Sequence, residues 1–164
     1  MAITSSDLSY RLSGGGANAD PGLSLGGAKS ATQTPSGLVG DISSAQAAAG
    51  GVYYRCVYVH NGHATLTSLA PTVWIQTNTP SSDTTLEIGV GIAAVNGTEQ
   101  TVADGFTAPA GVSFSAPSAY AGGLSLGDIP AGQHKALWLR YTLNAGASTY
   151  SDGGLIRLQC DTLP

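Results

Sequence analysis

The stretch from Val52 to Asn61, with the sequence VYYRCVYVHN, constrains the fold of this chain more than any other. It joins β-branched and aromatic residues in one unbroken run between Gly51 and Gly62, which is typical of a central β-strand. Alternation divides the large side chains between the two faces, with Tyr54, Cys56 and Tyr58 on one face and Arg55, Val57 and Val59 on the other. We therefore expect one face to meet the hydrophobic core. The other should be covered by the chain's own arm or by a neighbouring subunit.

The low charge of the chain limits the partners that it can bind. Only 10% of the 164 residues are charged, against roughly a quarter in average globular chains. The net charge is −4 and no run of Lys or Arg is present, so nucleic acid and anionic membranes are poor partners. The first residues, MAITSSDLSY, lack the basic and apolar regions of a secretory signal. We expect the chain to fold in a cytoplasm, where Cys56 and Cys160 stay reduced.

Short alternating segments follow one another along the chain and predict β-strands at residues 8–12, 52–61, 69–77, 85–92, 135–143 and 155–161. Shorter strands are expected near residues 111–115 and 124–126, and one short turn of helix over 43–49. A turn through Tyr150 leads to the last strand. In the strand 135–143 the predicted inward residues are Leu137, Leu139, Tyr141 and Leu143.

About seven short strands without a long helix predict an all-β chain folded as an antiparallel β-sandwich. An immunoglobulin-like sandwich is favoured, and a jelly roll stays open as the alternative. The length of the chain suits one such domain with an extension. We assign residues 51–164 to the sandwich and residues 1–50 to an N-terminal arm that contains one short strand.

The arm is predicted from a segment rich in Gly, Ala, Ser and Asn that has no sustained hydrophobic period. Its few apolar anchors are Leu23, Leu25, Leu38, Val39 and Ile42. So few anchors bury too little apolar surface to offset the entropy of ordering the arm. We therefore expect the arm to become ordered when it binds a partner.

Residues that could support catalysis or metal binding do not form a convincing site. His60 and His63 have an H-x-x-H spacing and His134 follows later, but strand geometry points residues i and i+3 in different directions. They are interpreted as turn and surface histidines. The chain has no G-x-S-x-G elbow of the kind that carries a catalytic serine. Asp83, Glu87 and Glu99 could supply paired carboxylates for glycoside cleavage, but the aromatic residues that would line a sugar-binding cleft are scattered over the strands. The sequence therefore predicts no enzyme, no metal site and no cofactor.

Four side chains on predicted outward positions are of the types enriched at protein interfaces, namely Tyr53, Trp74, Trp138 and Arg140. Packing beneath the arm or beneath loops is the alternative interpretation for the same residues. Together with the arm anchors Leu23, Leu25, Leu38 and Ile42, they form the predicted interface.

Four blocks of sequence resemble a known group of proteins: YRLSGGGANADPGLSLGG, YRCVYVHN, VNGTEQTVADGFTAPAGVSFS and LSLGDIPAGQHKALWLRYTLNAGASTY. The chain resembles the small structural proteins of tailed bacteriophages and prophages, from about Leu8 to Asp161. The resemblance implies a virion component without catalytic residues, and a capsid decoration (cement) protein is favoured. Its partner would then be the major capsid protein, and placement on local threefold axes implies a homotrimer. A tail, fibre or baseplate component that binds a host glycan is the alternative.

Overall fold

The computed structural model describes residues 2–34, 36–146 and 152–161, so the turn predicted through Tyr150 lies outside the described residues. The described residues form seven β-strands and very little helix. The strands are β1 (Leu8–Leu12), β2 (Gly51–Asn61), β3 (Leu69–Thr77), β4 (Thr84–Val90), β5 (Leu124–Ser125), β6 (His134–Leu143) and β7 (Leu155–Asp161). The helical elements are α1 (Ser44–Ala49) and the 3-10 turns Pro21–Leu23 and Tyr120–Gly122. The chain is therefore all-β.

The strands pair antiparallel in two sheets. One sheet has four strands in the order β1-β2-β6-β4, and the other has three in the order β5-β3-β7. The predicted central position of β2 is confirmed, because it pairs with β1 along one edge and with β6 along the other. The strand predicted at 135–143 is its longest partner, with His60 opposite His134 at one end and Gly51 opposite Leu143 at the other.

The four-stranded sheet is buried on both faces, which gives the chain two cores. We call the space between the sheets the inter-sheet core, and it contains the predicted inward residues Leu137, Leu139, Tyr141 and Leu143. We call the opposite face the outer core, and its buried residues are Tyr54, Cys56, Tyr58, Val102, Ala136 and Trp138. The expectation that β2 carries large apolar groups on two covered faces is thus confirmed.

The chain's own N-terminal segment supplies part of the cover over the outer core. The hydroxyl groups of Ser13 and Ser24 both donate to the carbonyl of Cys56, at 2.8 and 2.6 Å. Leu25 follows Ser24 and packs on the outer core, together with Val112 and Phe114 from the long loop after β4. Burial raises the pKa of the Cys56 thiol. Cys56 and Cys160 are both free thiols, on strands of different sheets.

The segment before residue 51 lies against the rest of the chain at several points. Strand β1 pairs with β2, so residues 8–12 belong to the four-stranded sheet. Leu38, Val39 and Ile42 are half-buried against the inter-sheet core. The short helical turn predicted over 43–49 is helix α1, which begins with a capping box in which Ser43 and Gln46 exchange side-chain to backbone hydrogen bonds. The division at residue 50 into an arm and a domain stays a prediction.

Two local expectations were wrong. The strand predicted over 85–92 ends at Val90, and Ile92, which alternation places inward, is 59% exposed. The last backbone bond of this segment to β6 is that from the amide of Gly91 to Ala136, and the chain then bends away at residues 92 and 93. The short strand expected near 111–115 is a single bridge between Ser115 and Ile88.

Candidate interaction surface

Two residues of the predicted interface are buried inside the chain. Tyr53 lies in the inter-sheet core and Trp138 in the outer core, with exposed fractions of 2% and 0%. For Trp138 the predicted face is correct, but Leu25, Val112 and Phe114 cover that face. For Tyr53 the predicted face is wrong, since it shares the face of Val57 that meets the second sheet. Neither side chain is available to a partner.

Arg140 and Trp74 remain partly exposed, and both contact neighbours. The Arg140 guanidinium donates two hydrogen bonds to the Glu87 carboxylate, each of 2.6 Å, and lies 5.0 Å from the centre of the Phe114 ring. The hydrogen bond with Glu87 raises the pKa of Arg140. Trp74 stands edge-on to Tyr120 on the outer face of the three-stranded sheet, with ring centres 5.7 Å apart. Arg140 is thus held by its own strand neighbour, whereas Trp74 faces solvent with one aromatic partner.

The four predicted anchors of the arm separate into two groups. Leu25, Leu38 and Ile42 are half-buried against the cores of their own chain, and their role in an interface stays a prediction. Leu23 is 61% exposed, the largest exposure among the large hydrophobic side chains of the described residues. A backbone hydrogen bond from Leu23 to Asp20 holds it in the 3-10 turn that projects it.

The loops that carry Leu23 and the exposed Phe106 both bond to one edge of β2. Beyond the end of β1, the amide of Cys56 donates to Ser24 and the amide of Tyr54 donates to Gly105, both at 2.7 Å. Residues two apart on a strand are separated by about 6–7 Å, so the two loops lie side by side on this edge. Leu23 precedes Ser24, and Phe106, which is 59% exposed, follows Gly105.

Arg55 lies between these two loops. One of its guanidinium nitrogens donates to the carbonyl of Tyr54 at 2.7 Å, and its Nε is buried without a hydrogen-bond partner among the described residues. Burial lowers the pKa of Arg55, and the carboxylate of Asp20 opposes this shift. We call the set Asp20, Leu23, Arg55, Gly105 and Phe106 the Leu23–Phe106 surface.

The Leu23–Phe106 surface contains residue types that are frequent at protein interfaces. Exposed aromatic and apolar side chains beside an arginine are enriched at the centres of interfaces. The Phe106 ring is held at 4.9 Å from the Tyr53 ring, so less side-chain freedom is lost when a partner covers it. Sequence reasoning named Leu23 but missed Phe106 and Arg55. The signal available was Phe106 itself, a large aromatic in a loop of small and polar residues.

The three histidines do not form a metal site. His63 lies in the turn after β2, where its Nδ1 accepts from the amides of Thr65 and Leu66 at 3.1 and 2.9 Å. His60 and His134 are half-buried strand neighbours, so their predicted place at the surface was wrong. Across the described parts of the chain, no three His, Cys, Asp or Glu side chains are grouped closely enough to hold a metal ion.

Stability is expected to fall as the pH drops from 7 to 5, because of His60 and His134. Burial lowers the pKa of both histidines, and the charge of Lys29 lowers both further. The pKa of His60 is also lowered by Arg11 and His134, while a hydrogen bond with the backbone of Gly132 partly opposes this shift. Below about pH 6.5 the unfolded chain therefore binds more protons than the folded one, so the free energy of unfolding decreases. Thermal melts of the wild type and of the double variant His60→Gln, His134→Gln test this.

The double variant should show a flatter dependence of melting temperature on pH in this window. Lys29→Gln should flatten the same pH dependence in part, because the charge of Lys29 contributes to both pKa shifts. Asp7 and Asp104, whose hydrogen bonds lower their pKa from an ordinary value of 3.8, titrate below the window. An equally steep decrease in the double variant would assign the effect to other groups.

A cavity of about 530 Å³ lies next to the inter-sheet core, between the segment 36–42 and the start of β7. Its walls are mostly apolar, and Leu139 and Tyr141 of β6 contribute to them. Tyr10 also lines it, and the Tyr10 hydroxyl is buried with no hydrogen-bond partner among the described residues. Burial raises the pKa of this hydroxyl. Asp41, Thr84 and Asp152 add polar groups to the walls.

Within the parts of the chain that the structure describes, no helix is both long enough and apolar enough to cross a membrane. Comparisons with protein-family models, with curated proteins and with solved structures found no significant match.

Proposed function

We propose that this chain is a structural virion protein that decorates and stabilises a bacteriophage capsid by bridging capsid subunits. The observation that carries the proposal is the Leu23–Phe106 surface, which presents two exposed apolar side chains on loops bonded to one edge of β2, with Arg55 beside them. The four sequence blocks that resemble phage structural proteins support it, and two of them contain Leu23 and Phe106. Such a protein stabilises the shell through the free energy of binding, so it needs no catalytic group.

The partner that suits this surface is the major capsid protein. Asp20 and Arg55 leave the surface close to neutral, and few counterions would be released when it is covered. Binding to a shell should then change little as salt rises past the range that screens surface charges. A trimer on local threefold positions, expected from shell symmetry, stays a prediction.

The double variant Leu23→Ser, Phe106→Ser is expected to bind capsids that lack this protein more weakly by about 10- to 100-fold. Covering these two side chains removes apolar area from water, and truncating both loses that gain. Binding of purified protein to such capsids by co-sedimentation measures the effect. In the same assay, wild-type protein should raise the temperature at which the capsids burst.

Ile92→Ser is the matched control, because Ile92 is exposed to the same 59% as Phe106 but lies beyond the end of β4. It should bind capsids like the wild type. If Ile92→Ser weakened capsid binding as much as the double variant, the effect would come from a general loss of apolar surface rather than from a defined contact. Failure of the wild type to bind capsids at all would contradict the capsid placement.

We also propose the immunoglobulin-like version of the β-sandwich. In that fold, strands A, B, E and D form one sheet, while C, F and G form the other. The order β1-β2-β6-β4 follows A-B-E-D, and the pair β3-β7 follows C-F. Among the described residues no strand takes the place of G, which leaves β7 at the edge of its sheet.

A tail or fibre component that binds a host glycan is the second candidate, and one observation favours it. Trp74 lines a shallow depression with Gln76, Arg157 and Gln159, which is an aromatic platform beside polar groups. Aromatic faces with nearby hydrogen-bonding groups are suited to sugar rings. Loss of binding to host cells in Trp74→Ala, with capsid binding absent in the wild type, would support this candidate.

A further inference from the structure

The edges of the two sheets differ in how they are covered. The outer edge of β1 is capped by residues 30–34, since the amide of Leu12 donates to Thr32 and that of Thr34 donates to Tyr10. The outer edge of β4 is capped by Ser115, which exchanges two backbone hydrogen bonds with Ile88, of 2.8 and 3.0 Å. Strand β5 is only two residues long. Capped and very short edges prevent unwanted strand pairing.

Among the described residues, strand β7 has neither a cap nor a very short edge. It is seven residues long, and among the described residues its backbone pairs with β3 alone. Its inward residues Ile156, Leu158 and Cys160 are only half-buried, so the core is open along this edge. An uncapped strand of this length offers a row of free amide and carbonyl groups to another strand.

We propose that two copies of this chain pair through β7, antiparallel across a twofold axis, to join their three-stranded sheets into one. A second copy has to offer a free strand edge of comparable length. Because β1 and β4 are capped, β7 of the second copy is the edge strand that remains for this pairing among the described strands. The same strand then serves on both sides of the contact, so the contact is self-complementary. This inference goes beyond the proposed function and does not depend on it, and the twofold dimer is an alternative to the trimer expected from shell symmetry.

The charges on β7 select the register of the pair. Arg157, Gln159 and Asp161 share the exposed face of the strand. When the twofold axis passes through Gln159, Arg157 of each copy lies opposite Asp161 of the other, and the two Gln159 residues face each other. Opposite charges directly across an antiparallel pair are favourable, and the symmetry provides this pair twice. On the inner face the same register places Leu158 opposite Cys160, which covers both half-buried side chains.

Sedimentation of the purified chain over a wide range of protein concentration tests the contact. The wild type is expected to form a dimer, and Arg157→Glu should weaken it by about tenfold or more, because two attractive pairs become repulsive. Adding Asp161→Arg to Arg157→Glu reverses both charges and should restore the dimer. A monomer at all concentrations, or a trimer that these changes leave intact, would overturn the proposal.

A cysteine placed on the axis gives a second, independent readout. In a Cys160→Ser background, Gln159→Cys should form a disulfide-linked dimer under mild oxidation, because the two thiols face each other across the axis. The matched control is Ser125→Cys in the same background, which is exposed on the opposite edge of the same sheet and should form no disulfide-linked dimer. Equal cross-linking at both positions would overturn the β7 contact even if a dimer forms.

Discussion

Replacing Trp138 with alanine is expected to lower the free energy of unfolding by about 3–5 kcal/mol. Trp138 is 0% exposed and is the largest side chain of the outer core. Leu25 and Phe114 pack over it from loops that are far from β6 in sequence, so a truncated side chain leaves a cavity that these loops cannot fill without breaking their own contacts. Denaturant unfolding followed by fluorescence or circular dichroism measures the change.

Trp138→Phe separates packing from polarity at the same position. The indole Nε1 is buried without a hydrogen-bond partner among the described residues, and an unpaired buried donor is itself unfavourable. Phenylalanine removes that donor and keeps most of the ring, so its cost should stay within about 2 kcal/mol. If Trp138→Ala melted like the wild type, the outer core would not be closed as described.

Alternation in the sequence placed most of the strands and assigned most of their faces, with Tyr53 and Ile92 as exceptions. The segments 8–12, 69–77 and 155–161 coincide with β1, β3 and β7, and the inward residues of β6 were identified correctly. This works because the side-chain period of a strand is fixed at two, so a run of alternating residues determines the register by itself. Such information is local and needs no knowledge of the rest of the chain.

The cover over the outer core could not be predicted in the same way. Alternation assigns Trp138 to a face but does not say what covers that face. The cover depends on contacts between distant segments, such as the hydroxyl of Ser24 on the carbonyl of Cys56. Gly89, opposite Trp138, is part of the same arrangement, because a Cβ there would lie 2.6 Å from the carbonyl oxygen of Ser113. The glycine in the alternating pattern thus makes room for the covering loop.

The candidate surface was predictable only in part, for a related reason. Leu23 was identified as an apolar residue in a polar segment, but the placement of its loop and the Phe106 loop on the same edge depends on two backbone hydrogen bonds to β2 that no local pattern contains. Trp138 and Tyr53 were chosen by residue type, and residue type favours interfaces and cores equally. Burial, which only the fold determines, separates the two.

The inward face of β6 leads to the second large expected effect. Leu137→Ala and Leu139→Ala should each lower the free energy of unfolding by about 2–5 kcal/mol, whereas Thr142→Ala, on the other face and half-buried, should cost far less. The two leucines should also differ from each other. Leu139 already lines the cavity of about 530 Å³, while Leu137 is enclosed by the inter-sheet core.

Truncating Leu139 therefore enlarges a space that already exists, and its cost should lie toward the lower part of the range. Truncating Leu137 creates a new void among side chains that are packed on all sides, and its cost should lie toward the upper part. Unfolding of the three variants in denaturant, with the slope of each transition compared, provides the measurement. If Thr142→Ala destabilised the chain as much as either leucine variant, the register of β6 would be wrong. The face that holds Trp138 and Arg140 would then have to be reassigned with it.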